Sequence, residues 1–193
     1  RLPKTPHRDL DAIKAEDAVK WREIYCGSIG IEFMHMPFPE RCDWIAERFE
    51  NKNLEQLDPH FILKRLNSTK AFEQFLHKRY LGTTRFSLEG LLSLIPLLDS
   101  ILDRAAEQGY EMAILAMAHR GRLNTMYHIA SIGIENIFGG FEDVDHKSVL
   151  GSGDVKYHKG ATGTYKTQSG KEIAIRLTSN PSHLEAVDPV LMG

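Results

Sequence analysis

Met112-Ala113-Ile114-Leu115-Ala116-Met117-Ala118 runs directly into His119-Arg120-Gly121-Arg122-Leu123-Asn124. Seven apolar residues in a row have the pattern of a strand covered on both faces of a parallel sheet, and the polar stretch after them reads as a turn opening a helix through Tyr127. A second stretch has the same layout: Ile173-Ala174-Ile175-Arg176-Leu177-Thr178-Ser179 leads into Asn180-Pro181-Ser182-His183-Leu184-Glu185. Before the first strand, Leu88, Leu91, Leu92, Ile95, Leu98, Ile101, Leu102 and Ala105 form an i, i+3, i+4 stripe, opened by Ser87 and closed by Gly109, with Pro96 expected to bend it. This order of helix, strand, helix and strand predicts an α/β domain over residues 85–193, built on a mainly parallel sheet. Ligands of such sheets bind beyond the carboxyl ends of the strands, where both histidine-bearing turns fall.

Residues 1–84 follow a different grammar and read as a helical region. Trp44, Ile45, Arg48 and Phe49, then Phe72, Phe75, Leu76 and Tyr80, recur at helical spacing. Ser68 and Thr69 are expected N-caps of the second helix, and Gly82 its stop. Met36-Pro37-Phe38-Pro39-Glu40 is a rigid connector, because each proline fixes φ and lacks a donor. His35, flanked by two methionines, is expected to pack against this region.

The 24 basic and 26 acidic residues leave a formal charge of −2, which excludes a simple nucleic-acid binder. With 42% apolar and 26% charged residues among 193, the chain is of globular composition and can bury a sizeable core. No apolar run approaches the ~20 residues of a membrane span, and no secretory signal is seen, so a soluble protein off the membrane is expected. Cys26 and Cys42 form no CxxC pair and are too few for a disulfide framework, which fits a reducing compartment. The chain opens on Arg1 without methionine and stops after the apolar Pro189–Met192, so it reads as a piece of something longer.

Three clusters could carry chemistry. His119-Arg120-Gly121-Arg122 combines an imidazole, two guanidiniums and expected helix N-terminal amides, an anion site in the making; the plain alternative is two solvated arginines and a satisfied histidine. Gly151–Gly163 is glycine-rich and cationic but lacks the GK[ST] ending of a phosphate loop, so it is either a flexible surface loop or a ligand-touching one. Ser182-His183 has no nucleophile-elbow context, and Ser182 after Pro181 can equally begin a helix. His119, His158 and His183 lack the spacing of a metal site.

Taken in order, Arg85-Phe86-Ser87-Leu88-Glu89-Gly90, Met117–Asn124, Gly151-Ser152-Gly153-Asp154-Val155-Lys156-Tyr157-His158 and Asn180–Glu185 resemble the E1 component of the 2-oxoglutarate dehydrogenase complex. Tyr25–His35 is similar to that family too, so the resemblance runs from about residue 17 to the end. It implies a thiamine-diphosphate-dependent, Mg²⁺-requiring decarboxylase of 2-oxoglutarate, homodimeric and several times longer than this chain. Such an enzyme passes its succinyl group to the lipoyl domain of the E2 succinyltransferase, in the bacterial cytoplasm or the mitochondrial matrix. The content implied here is a helical region and the truncated start of the pyrophosphate-binding α/β domain.

By the same resemblance, His119 and His158 are the active-site histidines and Phe86 is the aromatic wall beside the substrate. Arg120 is the pyrophosphate ligand, and Ser182 and Leu184 line the cofactor. Thr162 stands where some family members place a substrate-contacting serine; its hydroxyl is kept, with a stiffer χ1. The family's GDG…N metal motif, its activating carboxylate and a late histidine are not among these residues. No metal ligand is therefore assigned, and the segment alone is expected to be inactive. A 2-oxoadipate-specific relative fits the same motifs, and a non-enzymatic docking module is the competing class.

Overall fold

A computed structural model describes residues 15–51, 57–142, 155–179 and 185–193. Its elements are α1 (Ala15–Tyr25), α2 (Pro39–Glu50), α3 (Pro59–Arg79), α4 (Leu94–Glu107), β1 (Met112–Leu115), α5 (Arg122–His128), α6 (Ile134–Gly139), β2 (Ala161–Lys166), β3 (Glu172–Leu177) and α7 (Val187–Met192), with a 3-10 turn at Val155–Tyr157. Contacts divide the chain into Arg1–Leu57 and Asp58–Gly193. The grammar changes later, between 84 and 85. The two positions differ because α3 is bonded to the elements after it: Arg65 to Asp99 of α4, and the Thr69 carbonyl to Asn124 of α5.

In the first unit Pro39 opens α2, where a missing N–H costs nothing. Cys42 and Ala46 bury against Phe33, and the Cys42 thiol donates to the Phe33 carbonyl at 3.3 Å. Met34 and Met36 pack on that core, which leaves His35 exposed instead of packed.

In the second unit α3 begins well before Ser68. The Asp58 carboxylate accepts from the His60 N–H at 2.9 Å and Pro59 takes the first helical position, a strong start signal. Ser68 and Thr69 therefore lie inside the helix rather than capping it, and the buried Thr69 hydroxyl donates to the carbonyl of Arg65 four residues back at 2.8 Å. Likewise α4 begins at Leu94, not Ser87. Pro96 falls in its first turn, where no intrahelical N–H is lost, so it has no bond to break. Gly109 closes α4 as expected, at φ +88°, with Tyr110 N–H on the Ala105 carbonyl and Gly109 N–H on that of Ala106.

The sheet order is β1-β3-β2. β1 pairs parallel with β3, from Met112 opposite Ala174 to Leu115 opposite Leu177, and β2 pairs antiparallel with β3. Helices with a small mixed sheet accord with an α/β fold; the described sheet is mixed where a mainly parallel one was expected. The difference is β2, whose start falls in the glycine-rich stretch Gly151–Gly163 that reads as loop. A Cβ at Gly163 would stand 1.7 Å from the Ala130 carbonyl, so the strand can lie against the chain leaving α5 only with glycine there.

Ile173, Ile175 and Leu177 all point to one face of β3, where they meet α4, α3 and α5 through two apolar clusters. Each such side chain contributes about 1.5–3 kcal/mol when fully buried. The other face is open among the described residues: Met112 is 51% and Ile114 46% exposed, in place of the two-sided cover the apolar run suggested. No helix among the described residues is long and apolar enough to cross a membrane.

Candidate functional site at the strand ends

Because β1 and β3 are parallel and in register at Leu115 and Leu177, the chain leaves both strands at the same sheet edge. After β1 it turns through Gly121, at φ +76°, into α5. A Cβ at Gly121 would also meet Leu88 at 2.5 Å, so backbone freedom and space both require glycine. The segment 85–90 is fastened onto this turn. Gly121 N–H donates to the Phe86 carbonyl at 3.1 Å, and Arg120 donates through Nε to Ser87 O (3.2 Å) and through Nη2 to Glu89 O (2.7 Å). Beneath it the buried Glu73 carboxylate accepts from Leu88 N–H (3.1 Å) and Asn124 Nδ2 (3.0 Å), and Arg85 lies 3.6 Å from its other oxygen.

Phe86 is brought onto His119, their ring centroids 3.9 Å apart, and Tyr157 meets Phe86 edge-on at 4.9 Å. Phe86 thus bridges the His119 turn and the 3-10 turn that delivers His158. All three of Phe86, His119 and His158 are half-buried, open enough to meet a ligand. Lys156 supports Tyr157 from behind, its ammonium 4.6 Å from the Phe141 ring and 5.4 Å from that of Tyr157. Thr162 is exposed on extended β2, opposite Arg176. Ser182, Leu184, His183 and Gly151–Asp154 lie outside the described residues.

The two arginines of the motif take opposite roles. Arg120 is exposed, and no described residue bonds its Nη1, which leaves one edge of its fork for an anion. Arg122 is not solvated: it is 0% exposed. It donates through Nε to Lys159 O at 3.0 Å, through Nη1 to Met117 O at 2.7 Å and through Nη2 to Thr178 O. Burial lowers its pKa, but arginine starts so far above neutrality that it stays charged. The sequence held a signal for this, since Arg122, Thr125 and Ile129 fall at i, i+3 and i+7, and all three are buried.

The expected helix-terminus contribution to an anion site is corrected here. α5 has seven residues, its opening amides are taken by Phe86 O and His119 O, and Leu88 covers Gly121. The exposed positive charge at this turn is the Arg120 guanidinium. No group of three or more His, Cys, Asp or Glu side chains is placed to hold a metal among the described residues. Chemically, the arrangement offers a cation at the rim, an imidazole against an aromatic wall, and a second imidazole on the adjoining turn.

No family model matches the chain. It is similar to the "Multifunctional 2-oxoglutarate metabolism enzyme" of Mycolicibacterium vanbaalenii, at 45% identity over 176 residues, and to that of Mycobacterium sp. strain JLS at 44%. It is 43% identical over the same length to the "2-oxoglutarate dehydrogenase E1/E2 component" of Corynebacterium glutamicum. Each match covers 89% of this chain but 14% of the relative, so the chain spans about one seventh of their length. The chain is thus a homologue of one segment, about a seventh, of proteins named 2-oxoglutarate dehydrogenase E1/E2 component and multifunctional 2-oxoglutarate metabolism enzyme.

Proposed function

We propose that this chain is the part of a 2-oxoglutarate-decarboxylating E1 subunit that carries its first cofactor- and substrate-facing turns. The observation that carries the reading is the meeting of Phe86, His119 and the His158-bearing turn at one sheet edge, beside the open fork of Arg120. These residues fit thiamine diphosphate in charge and shape: a rim cation suits the diphosphate, and an aromatic ring beside an imidazole suits a flat heterocycle. When bound, that cofactor supplies the electron sink that no side chain offers to a 2-oxo acid.

The residues of this chain do the rest. Arg120 holds diphosphate oxygen, with Ser182 and Leu184 lining the cofactor and the Mg²⁺ ligands supplied by other parts of the enzyme. His119 moves a proton at the reacting centre, and Phe86 keeps water from it. His158, with Thr162, holds the distal carboxylate that distinguishes a dicarboxylic 2-oxo acid from pyruvate. The succinyl product then passes to a lipoyl domain of E2, with the enzyme acting as a homodimer.

The test is CO₂ release by the full-length protein from 2-oxoglutarate, 2-oxoadipate and 2-oxovalerate, with and without thiamine diphosphate. Cofactor-dependent turnover of 2-oxoglutarate is expected. His158→Leu should lower kcat/KM for 2-oxoglutarate far more than for 2-oxovalerate, because a site built for a polar partner rejects analogues lacking it by up to about 10,000-fold. An unchanged ratio removes His158 from substrate recognition. Preference for 2-oxoadipate identifies the six-carbon relative, and no decarboxylation at all leaves the docking-module reading.

A further inference from the structure

Arg122 is buried at the start of α5, and three of its bonds go to three separate pieces of chain. Met117 stands two residues before His119, Lys159 is the residue after His158, and Thr178 is the first residue beyond β3. We propose that Arg122 is a positioning residue whose guanidinium holds the His119 turn and the His158 turn in one fixed register against the end of β3.

A guanidinium is a rigid plane with five donors at fixed mutual positions, so carbonyls bound to its Nε, Nη1 and Nη2 cannot shift independently. Lysine offers one compact, rotatable point charge and cannot reproduce that geometry. The acceptors are main-chain oxygens, so the clamp does not occupy the side chains of the same turns; Phe86 meets His119, and Ser179 Oγ donates to the His158 carbonyl at 2.9 Å as a second tie. Removing the clamp therefore loosens both histidines at once. This inference rests on the reading of His119 and His158 as site residues, and its test has one arm for each idea.

In isotope-labelled wild-type chain, the Arg122 Nε–H should exchange slowly and show a scalar coupling through its hydrogen bond to the Lys159 carbonyl carbon. An Nε–H that exchanges like that of an exposed arginine overturns the clamp. This measurement needs no variant, so it decides even where a substitution fails to fold. In Arg122→Lys, amides of residues 117–121, 157–160 and 178–179 should shift together and exchange at least about tenfold faster, while those around Asp99 and Tyr165 keep their protection. Movement of one turn alone, or of neither, overturns the proposal. In the full-length protein, Arg122→Lys should lower kcat for 2-oxoglutarate by at least about tenfold and leave the cofactor concentration for half-maximal activity within about twofold. Coupled turns with unchanged kcat leave the clamp in place and overturn the reading of the two histidines instead.

Discussion

Arg65 and Arg122 are both drawn into the Asp58–Gly193 unit, and their partners differ. Arg65, on α3, grips the Asp99 carboxylate with two bonds of 2.6 and 2.9 Å and reaches His128, with Nη1 3.3 Å from the ring and Nη2 3.2 Å from the carbonyl. Asp99 also accepts from the Tyr165 hydroxyl at 2.9 Å, so this network ties α3, α4, α5 and β2 through side chains. Burial and the nearby Asp99 charge both raise the Tyr165 pKa, which keeps the hydroxyl a donor. Arg122 meets carbonyls instead. One region fixes regular elements through a matched charge pair; the other fixes turns through their main-chain carbonyls.

The largest effect that could break this contrast is loss of Asp99. Asp99→Ala leaves Arg65 without its carboxylate, and removing one member of a buried pair costs about 3–5 kcal/mol. Urea unfolding should show that loss, while resonances of residues 117–121 stay in place. Displacement of those turns by Asp99→Ala would mean the two regions are one.

Next comes acid. Burial, and then the Arg65 charge, push the His128 pKa down to about 4, below its unfolded value of about 6.5. The folded state therefore binds fewer protons in this window. Stability from the neutral ring is complete above about pH 6.5 and declines as pH falls toward 4, by at most about 3 kcal/mol. His128→Gln should flatten that decline in unfolding curves recorded from pH 7 to 4; an unchanged slope assigns it to other groups.

The smallest effect sharpens the contrast at the bridge between the regions. Asn124→Leu removes the donor that joins α5 to Glu73 and to the Thr69 carbonyl. A cost of about 1–3 kcal/mol is expected, because those acceptors lose a partner in the interior. Thermal unfolding checks it, and a neutral result would show that the Asn124 bonds add little to the Leu88 bond and Arg85 contact that Glu73 keeps.

Patterns that depend on neighbours in sequence were legible from sequence alone. The two apolar runs became the parallel pair β1 and β3, and Gly109 and Gly82 mark the chain reversals after α4 and α3. What depends on distant partners was not. Gly163 reads as loop until Ala130 is seen pressed against it, and Ser68 and Thr69 read as caps until Asp58 takes that role. At the site, the placement of His119 beyond β1 is legible in the apolar run Met112–Ala118, whereas the contact with Phe86 joins residues 33 positions apart. Arg122 is the hardest case: its residue type says surface, and carbonyl partners 5, 37 and 56 positions away explain how a guanidinium can be buried.

The division of labour between Arg120 and His119 is the most direct test of the proposed site, measured as 2-oxoglutarate turnover against thiamine diphosphate concentration in the full-length protein. Arg120→Ala should weaken cofactor affinity by about 10- to 150-fold, the equivalent of one charge-assisted hydrogen bond of about 1.5–3 kcal/mol, with turnover restored at saturating cofactor. His119→Ala should lower kcat by about 100- to 10,000-fold at every cofactor concentration. Equal rescue of both variants by cofactor, or of neither, would contradict the placement of diphosphate binding and proton transfer on these neighbouring residues.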